Sequence, residues 1–310
     1  MEIKKEMFKP LNRDESQKEQ IARPSLTFWQ DAWRRLKKNP LAMASLILLG
    51  SILLIALIGP FLNDYNYYEQ DYSVVNLKPF TPEAMESNHW FGTDDLGRDI
   101  WQRLWKGTQI SLFIGIVAAS LDLTIGVLYG GISGYKGGRV DDIMMRIVEI
   151  LMGIPYLILA ILLILVLEPG LTAIILALSV TGWIGMARIV RGQLFQLKEQ
   201  EFILAAKTLG ANTRRMMLKH LIPNTMGPII VSITFTIPGA IFTEATLSFL
   251  GLGLRPPLAS LGVLVNQGYG LFKNLPWNLW FPAAVISLIM LAFNLLGDGL
   301  RDALDPKMRK

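Results

Sequence analysis

The chain has 310 residues, of which 52% are hydrophobic, and its mean hydropathy of +0.39 is that of a membrane protein rather than a soluble domain. It contains no cysteine, which excludes disulfides and cysteine-based metal sites. The formal net charge of +5 follows from the uneven distribution of Lys and Arg described below, so it is no indication of nucleic-acid binding.

Residues 1–40 are predicted to form a cytoplasmic tail that ends in a short interfacial helix. The tail carries mixed charges without sustained periodicity, and it contains no apolar stretch typical of a cleaved signal peptide. Phe28, Trp29, Trp33 and Leu36 then recur at the spacing of one helix face, beside four basic residues. This pattern is typical of a helix that lies along a membrane surface.

Six apolar runs follow, and most approach the roughly 20 residues that cross a bilayer. They cover residues 41–62, 110–132, 147–167, 171–186, 228–250 and 281–296. The fourth and sixth runs are short, so we expect flanking residues to extend them or neighbouring helices to bury them. The sequence therefore predicts an all-α integral membrane protein with six transmembrane helices.

The positions of Lys and Arg predict how these helices are oriented. If the N-terminus lies inside the cell, 24 of the 30 Lys and Arg residues fall in inner segments and 6 in outer segments. Because inner segments carry the excess of positive charge in membrane proteins, both termini are predicted to be cytoplasmic. The segment between the fourth and fifth runs is predicted to be cytoplasmic as well.

The outer segment, residues 63–107, is predicted to end in an amphipathic helix that Thr93, Asp94 or Asp95 caps. The apolar face of that helix consists of Ile100, Trp101, Leu104 and Trp105. A metal site is the alternative use of His89, Asp94, Asp95 and Asp99. A lone histidine among residues that favour helix caps is weak evidence for such a site, so we expect no metal here.

The second apolar run contains Gly126, Gly130 and Gly134, which recur every four residues. Small residues at this spacing let two membrane helices approach closely. We therefore expect these glycines to mark a tight helix–helix contact.

Ionisable residues inside membrane spans are costly, and Asp122 and Glu244 are the clear cases. Each can line a polar pathway for a substrate or bond to a neighbouring helix, and we favour the bonded role for Asp122. For Glu244 we favour the pathway, together with Thr243, because Pro238-Gly239 is expected to break the helix just before it. Four nearby threonines are expected to surround Glu244, namely Thr234, Thr236, Thr243 and Thr246.

Residues 197–224 form the most charged stretch between apolar runs, and their pattern predicts two short helices joined at a glycine. The first helix carries an apolar stripe that consists of Phe202, Ala205, Ala206 and Leu209. Gly210 permits a turn that a residue with a Cβ would resist. Such a compact unit, with small apolar residues outward, suits a groove on another protein. An amphipathic loop on the membrane surface is the alternative.

The second helix of this stretch is predicted to begin at Asn212 or Thr213 and to end at Pro223. Its apolar stripe consists of Met217, Leu218, Leu221 and Ile222. We therefore expect a helical unit that is separate from the fifth membrane span.

Several stretches of the sequence resemble a known family. Ala205-Ala206, Gly210 and Ile222-Pro223 resemble the signature of the loop by which bacterial ABC-importer permeases dock onto their ATPase subunit, although Leu204 replaces its usual glutamate. Four further stretches resemble the C-subunit group of oligopeptide, dipeptide and nickel importers. They read HWFGTDDLGRD, GYKGGRVDD, TEATLSFLGLGLRPPLASLG and GDGLRDALDPKMRK, so the resemblance covers residues 88–310.

The resemblance implies a type I ABC-importer transmembrane domain in the bacterial cytoplasmic membrane. Its core would be residues 108–302, with a coupling loop at 188–223 and a C-terminal tail at 303–310. The residues that contact the ATPase would be Phe202, Ala205, Ala206, Leu209, Gly210, Ile222 and Pro223. The implied partners are a second permease chain, two ATPase chains that bind ATP and Mg, and an extracytoplasmic peptide-binding protein.

The chain contains neither a GxxxxGK[ST] loop for ATP phosphates nor an HExxH motif, so we expect a transport subunit without a catalytic site or cofactor of its own. The cargo stays open between oligopeptides, dipeptides and nickel. An ion-coupled secondary transporter that uses Asp122 and Glu244 is the alternative from another class. The lack of visible inverted repeats argues against it.

Overall fold

The computed structural model describes residues 27–305 of the chain. Within this range, five helical stretches are long and apolar enough to cross a membrane. They are Pro40–Phe61, Ile100–Lys136, Leu171–Lys198, Thr213–Leu252 and Trp277–Leu304. The bent pair Gly138–Gly153 and Tyr156–Leu167 gives a sixth span if its halves are counted together. The predicted helical membrane architecture is confirmed, whereas most of the two predicted tails lies outside the described residues.

The helices are numbered here in chain order. The first six are α1 (Phe28–Leu36), α2 (Pro40–Ile58), α3 (Pro82–Glu86), α4 (Ile100–Lys136), α5 (Gly138–Gly153) and α6 (Tyr156–Leu167). The remaining six are α7 (Leu171–Lys198), α8 (Glu201–Thr208), α9 (Thr213–Arg215), α10 (Ile222–Leu247), α11 (Leu261–Leu271) and α12 (Trp277–Leu304). Two π-helical segments, Met216–Leu221 and Ser248–Leu252, precede and follow α10, and the second is kinked at Gly251, which has φ of +82°.

α1 forms where the sequence predicted an interfacial helix. It begins at a capping box, in which the Thr27 hydroxyl accepts from the Gln30 amide and the Gln30 side chain accepts from the Thr27 amide. Leu36 is buried against α12, whereas Trp29 and Trp33 remain exposed. The aromatic part of the predicted face therefore points away from the protein, as expected of a helix that rests on a bilayer.

The predicted outer helix and second span are one helix of 37 residues, α4. The cap is Asp99, whose Oδ1 accepts from the Gln102 amide at 2.7 Å, so the predicted caps at Thr93, Asp94 or Asp95 are wrong. Gly107 does not interrupt the helix because it packs against the chain at the start of α11. The predicted domain boundary between residues 107 and 108 therefore falls inside α4.

The third apolar run is bent rather than straight. α5 and α6 meet at 83°, and Ile154 between them has an extended backbone with ψ of 121°. A residue that precedes a proline is pushed out of the helical region, and Pro155 follows Ile154. The prediction of one continuous helix over residues 147–167 is therefore wrong.

In the fifth span, unlike the third apolar run, prolines do not break the helix. The helix continues through Pro223 and contains both Pro228 and Pro238, so the predicted end at Pro223 and the predicted break at Pro238-Gly239 are wrong. Pro223 lies in the first turn of α10, where its fixed φ fits a helix. A π-helical turn, Met216–Leu221, lies just before Pro223, where the missing proline amide disturbs the regular α-helical hydrogen bonds.

The bundle is held together by an apolar core and by close contacts at glycines. One core cluster joins α4, α10, α11 and α12 through Leu104, Ile241, Leu261 and Ile289. The predicted tight contact of the second run is confirmed along α4 and α7. A Cβ on Gly130 would lie 2.2 Å from the Ala187 carbonyl oxygen, so only glycine permits this approach.

Candidate functional site

The loop of residues 199–221 connects α7 to α10 and contains the predicted helix–turn–helix unit. α8 ends at Thr208, and the chain turns at Gly210, which has φ of +78°. The Asn212 side chain then accepts from the Arg215 amide at 2.8 Å and caps α9. The predicted glycine turn and the predicted cap at Asn212 are confirmed. The unit is not separate from the fifth span, because α9 leads through the π-helical turn into α10.

The inner side of this loop packs onto the bundle. Ile203, Met216 and Leu221 are buried together with Val190 and Leu194 of α7. The partly buried side chain of Ala206 packs against the same cluster. The prediction that Ala206 faces outward with the rest of its stripe is therefore wrong, since the stripe is wide enough to reach both sides of a short helix.

The outer side of the loop is apolar and exposed. Leu209 is 88% exposed at the tip, and Phe202 and Leu204 are 45% and 53% exposed. Ala205 lies on the same surface, next to the turn of Gly210. Leucine and phenylalanine side chains that are this exposed at the end of a bundle indicate a contact with another molecule. We call Phe202, Leu204, Ala205 and Leu209 the loop surface.

The other two residues of the signature lie at the base of the loop. Ile222 is half-buried and Pro223 is exposed where α10 begins. Neither side chain belongs to the buried cluster that contains Leu221. The predicted docking residues thus divide between the loop surface, the partly buried Ala206 and the base of the loop.

A polar network ties the loop to the neighbouring helices. Arg191 of α7 holds both carboxylate oxygens of Asp141 in α5, with Nε to Oδ1 at 2.5 Å and Nη2 to Oδ2 at 2.6 Å. The hydroxyl of Ser133 in α4 also donates to Asp141. A bidentate Arg–carboxylate pair fixes orientation as well as distance. α4, α5 and α7 are therefore joined at the end of the bundle that carries the loop.

Three further hydrogen bonds lie at this end of the bundle, and one of them reaches the loop itself. Lys198 donates to the carbonyl oxygens of Gly134 and Tyr135 at 3.1 and 2.9 Å, which satisfies acceptors at the C-terminal end of α4. The Tyr135 hydroxyl donates to Thr213 Oγ1 at 3.3 Å, at the start of α9. The loop is thereby bonded to α4, and α4 is bonded to the end of α7. These supports were missed in the sequence because their partners are 50 or more residues apart.

The predicted substrate-pathway residues have three different environments. Asp122 is buried against Gly182 of α7, and its Oδ1 has no hydrogen-bond partner. Thr243 is half-buried and donates to the Gly239 carbonyl of its own helix. Glu244 has no exposed surface at all. The expectation that Asp122 bonds to a neighbouring helix is wrong.

Glu244 is bound by serines rather than by the four threonines. Ser111, Ser248 and Ser260 donate to its carboxylate, whereas the hydroxyls of all four threonines donate to carbonyls of their own helix. The prediction that the threonines surround Glu244 is therefore wrong. Hydroxyl groups on a helix commonly bond to the preceding turn, which removes them from contacts across the bundle.

The histidine and aspartates of the outer segment do not converge on a metal. His89 Nδ1 lies 2.8 Å from Asp99 Oδ2, and the Asp94 carboxylate accepts from Arg98 Nε at 2.7 Å. Across residues 27–305 there is no group of three or more His, Cys, Asp or Glu residues arranged to hold a metal ion. These side chains instead fix the outer segment onto the N-terminus of α4.

Comparison with known proteins identifies the family. Residues 126–310 match the binding-protein-dependent transport system inner membrane component family, and residues 27–79 match the N-terminal transmembrane domain of oligopeptide transport permease C. The chain belongs to the family of binding-protein-dependent transport system inner membrane components. An inner-membrane component of this family is expected to be multi-pass, in agreement with the five or six apolar spans.

Relatives in this family match over nearly the whole chain. The dipeptide transport system permease protein DppC of Bacillus subtilis is 55% identical, with 97% of this chain and 92% of the relative covered. The oligopeptide transport system permease protein OppC of the same organism is 52% identical, with 99% of both chains covered. The OppC protein of Escherichia coli is 42% identical over 91% of this chain and 92% of the relative.

A solved structure supports the fold of the core. An inward-facing conformation of the MetNI methionine ABC transporter superposes on 63% of this chain and 94% of its own, with a TM-score of 0.51 at 20% identity. The predicted type I ABC-importer fold is thereby confirmed.

Proposed function

We propose that the chain is the permease subunit of an ATP-driven ABC importer that translocates oligopeptides delivered by an extracytoplasmic binding protein. The observation that carries this proposal is the match to OppC of Bacillus subtilis over 99% of both chains. A second permease chain and two ATPase chains would complete the complex. The ATPase chains would bind and hydrolyse ATP with Mg, while this chain supplies half of the membrane pathway.

The loop surface is the proposed contact with one ATPase chain. The loop is attached to the bundle by its buried residues Ile203, Met216 and Leu221 and by the Tyr135–Thr213 hydrogen bond, and it carries exposed apolar side chains at its tip. Closure of the ATPase pair would carry the loop with it, and the network would pass that displacement to α4 and α7. The bundle would then alternate between inward-open and outward-open states. This assignment requires the loop and both termini to be cytoplasmic, as the Lys and Arg distribution predicts.

Asp122 and Thr243 remain candidate contacts for the peptide. A buried carboxylate without a partner inside a membrane span is costly unless another group reaches it. The Asp122 carboxylate packs against Gly182, whose own backbone is exposed. This part of the proposal is tested by peptide uptake of an Asp122→Asn variant.

A dipeptide importer is the second candidate, and the observation that favours it is the 55% identity to DppC of Bacillus subtilis. The two candidates differ in the length of peptide that is transported. Uptake of a labelled tetrapeptide, in competition with unlabelled dipeptides and tetrapeptides, separates them. Preferential competition by dipeptides would replace oligopeptides as the cargo without changing the rest of the proposal.

The central experiment measures association with the ATPase chains. Burial of a leucine side chain contributes about 1.5–3 kcal/mol, so Leu209→Ala should weaken ATPase binding by roughly ten- to a hundredfold. Leu162→Ala is the matched control, because it shortens an exposed leucine on α6 that lies away from the loop. We expect the parent chain and the control to co-purify with ATPase chains and to support uptake.

Two results would contradict the proposal in different ways. If Leu209→Ala binds the ATPase chains and transports peptide like the parent, the loop surface is not the docking site. If the parent chain itself co-purifies with no ATPase, the assignment to an ABC importer is wrong.

A further inference from the structure

Glu244 is a buried carboxylate with a complete set of hydrogen-bond donors. Its Oε1 accepts from Ser248 at 2.7 Å and from Ser260 at 2.6 Å, and its Oε2 accepts from Ser111 at 3.2 Å. The three serines belong to three different parts of the chain: the π-helical segment after α10, the cap of α11, and α4. A fully buried charge is tolerated only where such donors replace water.

Two of these serines also connect the carboxylate to the backbone of α11. Ser111 Oγ accepts from the Leu261 amide at 3.0 Å, and Ser260 Oγ accepts from the Val263 amide at 3.2 Å. The first amides of a helix have no partner within the helix and carry a partial positive charge. The carboxyl group of Glu244 is therefore linked through both serines to the N-terminus of α11.

The backbone of α11 packs closely against α4 and α10 around this cluster. A Cβ on Gly262 would lie 2.4 Å from the Cα of Ala245, and one on Gly107 would lie 3.2 Å from the carbonyl carbon of Ser260. Further along α11, Arg103 of α4 donates to Gln267 at 2.7 Å. α11 is thus fixed to α4 at two points and to α10 at one.

We propose that Glu244 is the joint that fixes the N-terminus of α11 to α4 and α10, so that these elements move as one body at the end of the bundle opposite the 199–221 loop. Its role is to position α11 rather than to contact the transported peptide. This inference goes beyond the proposed function and replaces the pathway role predicted for Glu244 from the sequence. It assigns the same role to Ser111 and Ser260.

The test uses a cysteine reporter in this naturally cysteine-free chain. Ala259 precedes the cap and has no exposed surface, so Ala259→Cys should react slowly with a maleimide in the purified complex. Loss of a hydrogen bond to a charged group should raise the labelling rate by about tenfold or more in Glu244→Ala and in Ser260→Ala. Thr246→Val is the control, because this exposed hydroxyl bonds only to the Phe242 carbonyl of its own helix.

Uptake measurements distinguish positioning from peptide contact. If Glu244 positions α11, then Glu244→Gln and Ser260→Ala should lower uptake of acidic, neutral and basic peptides by the same factor. The effects of Glu244→Ala and Ser260→Ala should also be less than additive in the double variant, because they break the same joint.

The proposal is overturned if Glu244→Gln changes the preference among peptides of different charge while the cysteine introduced at position 259 reacts as slowly as it does in the Ala259→Cys variant alone. If the Glu244→Ala complex fails to assemble, the labelling rate of Ser260→Ala still tests the proposal, because this variant keeps the Glu244 carboxylate and its donors Ser111 and Ser248. Unchanged labelling in Ser260→Ala would contradict the joint. If the parent chain does not bind ATPase chains, the proposed function is wrong. The labelling rates would still test the role of Glu244, because they do not depend on ATPase binding.

Discussion

Substitution of Gly210 tests whether the shape of the 199–221 loop matters independently of its side chains. Gly210 has φ of +78°, and no atom beyond its two chain neighbours lies within 4 Å of the position that a Cβ would occupy. A substitution there meets no steric neighbour, so its cost comes from the backbone alone. The left-handed conformation costs a residue with a Cβ roughly 1–2 kcal/mol, with the upper end for β-branched valine and little for asparagine.

The consequence for docking follows from these values. If Gly210→Val disfavours the docking conformation by about 2 kcal/mol, the fraction of loops ready to bind falls roughly thirtyfold, and the apparent affinity for the ATPase chains falls by the same factor. Gly210→Asn should remain close to the parent because asparagine tolerates positive φ. Neither change touches a membrane span, so the amount of inserted protein should stay the same.

The assay titrates purified ATPase chains onto each variant in lipid nanodiscs and measures peptide uptake in cells in parallel. We expect the affinity for the ATPase chains and the peptide uptake to be highest with Gly at position 210 and to decrease through Gly210→Asn and Gly210→Ala to Gly210→Val. The argument from backbone conformation is refuted if Gly210→Asn is as impaired as Gly210→Val. Parental affinity of Gly210→Val would show that the turn is not needed for docking.

Two further predictions concern packing and orientation. Gly130→Ala should lower the melting temperature of the purified complex, because its Cβ would lie 2.2 Å from a backbone oxygen of α7 and such overpacking costs about 1–3 kcal/mol. The neighbouring Gly131→Ala should have little effect, since only the mobile end of Met217 lies near, at 3.2 Å; equal melting temperatures would contradict the packing argument. Cysteines introduced at Met85 and Thr213, both exposed, should react with an impermeant reagent only from opposite sides of the membrane, and labelling of both in intact cells would overturn the predicted orientation.

The membrane spans could be predicted from the sequence, but their ends could not. An apolar run marks only the part of a helix that meets lipid, and the helix continues wherever its backbone bonds remain favourable. α7 extends to Lys198, well beyond the predicted end at residue 186, because its last turns pack beneath the loop. α4 likewise begins ten residues before its apolar run.

Prolines show why local signals are insufficient. Pro155 separates two helices, whereas Pro228 and Pro238 lie inside α10. The residue itself is the same in each case. Neighbouring helices and small adjustments of the hydrogen-bond pattern can compensate for the missing amide, and these are properties of the packed bundle rather than of the local sequence.

The candidate site was predictable only where its residues are close in sequence. The turn at Gly210 and the exposed Phe202 and Leu209 follow from a pattern within ten residues. Ser111, in contrast, binds Glu244 from 133 residues away, and threonines that are neighbours in sequence bond elsewhere. The chemistry of a buried acid therefore depends on contacts between helices that one sequence does not reveal.

The loop and the Glu244 joint lie on the same two helices. The helical path that begins at Thr213 and runs through α10 carries Thr213 at one end and Glu244 near the other. α4 runs beside it and bonds to both points, through Tyr135 at the loop and Ser111 at the joint. At a rise of 1.5 Å per residue the two bonds are roughly 35–45 Å apart along either helix. Because the same pair of helices is fixed at both points, a displacement of the loop should tilt the pair together and carry α11 with it, which connects the proposed ATPase contact to the far end of the bundle.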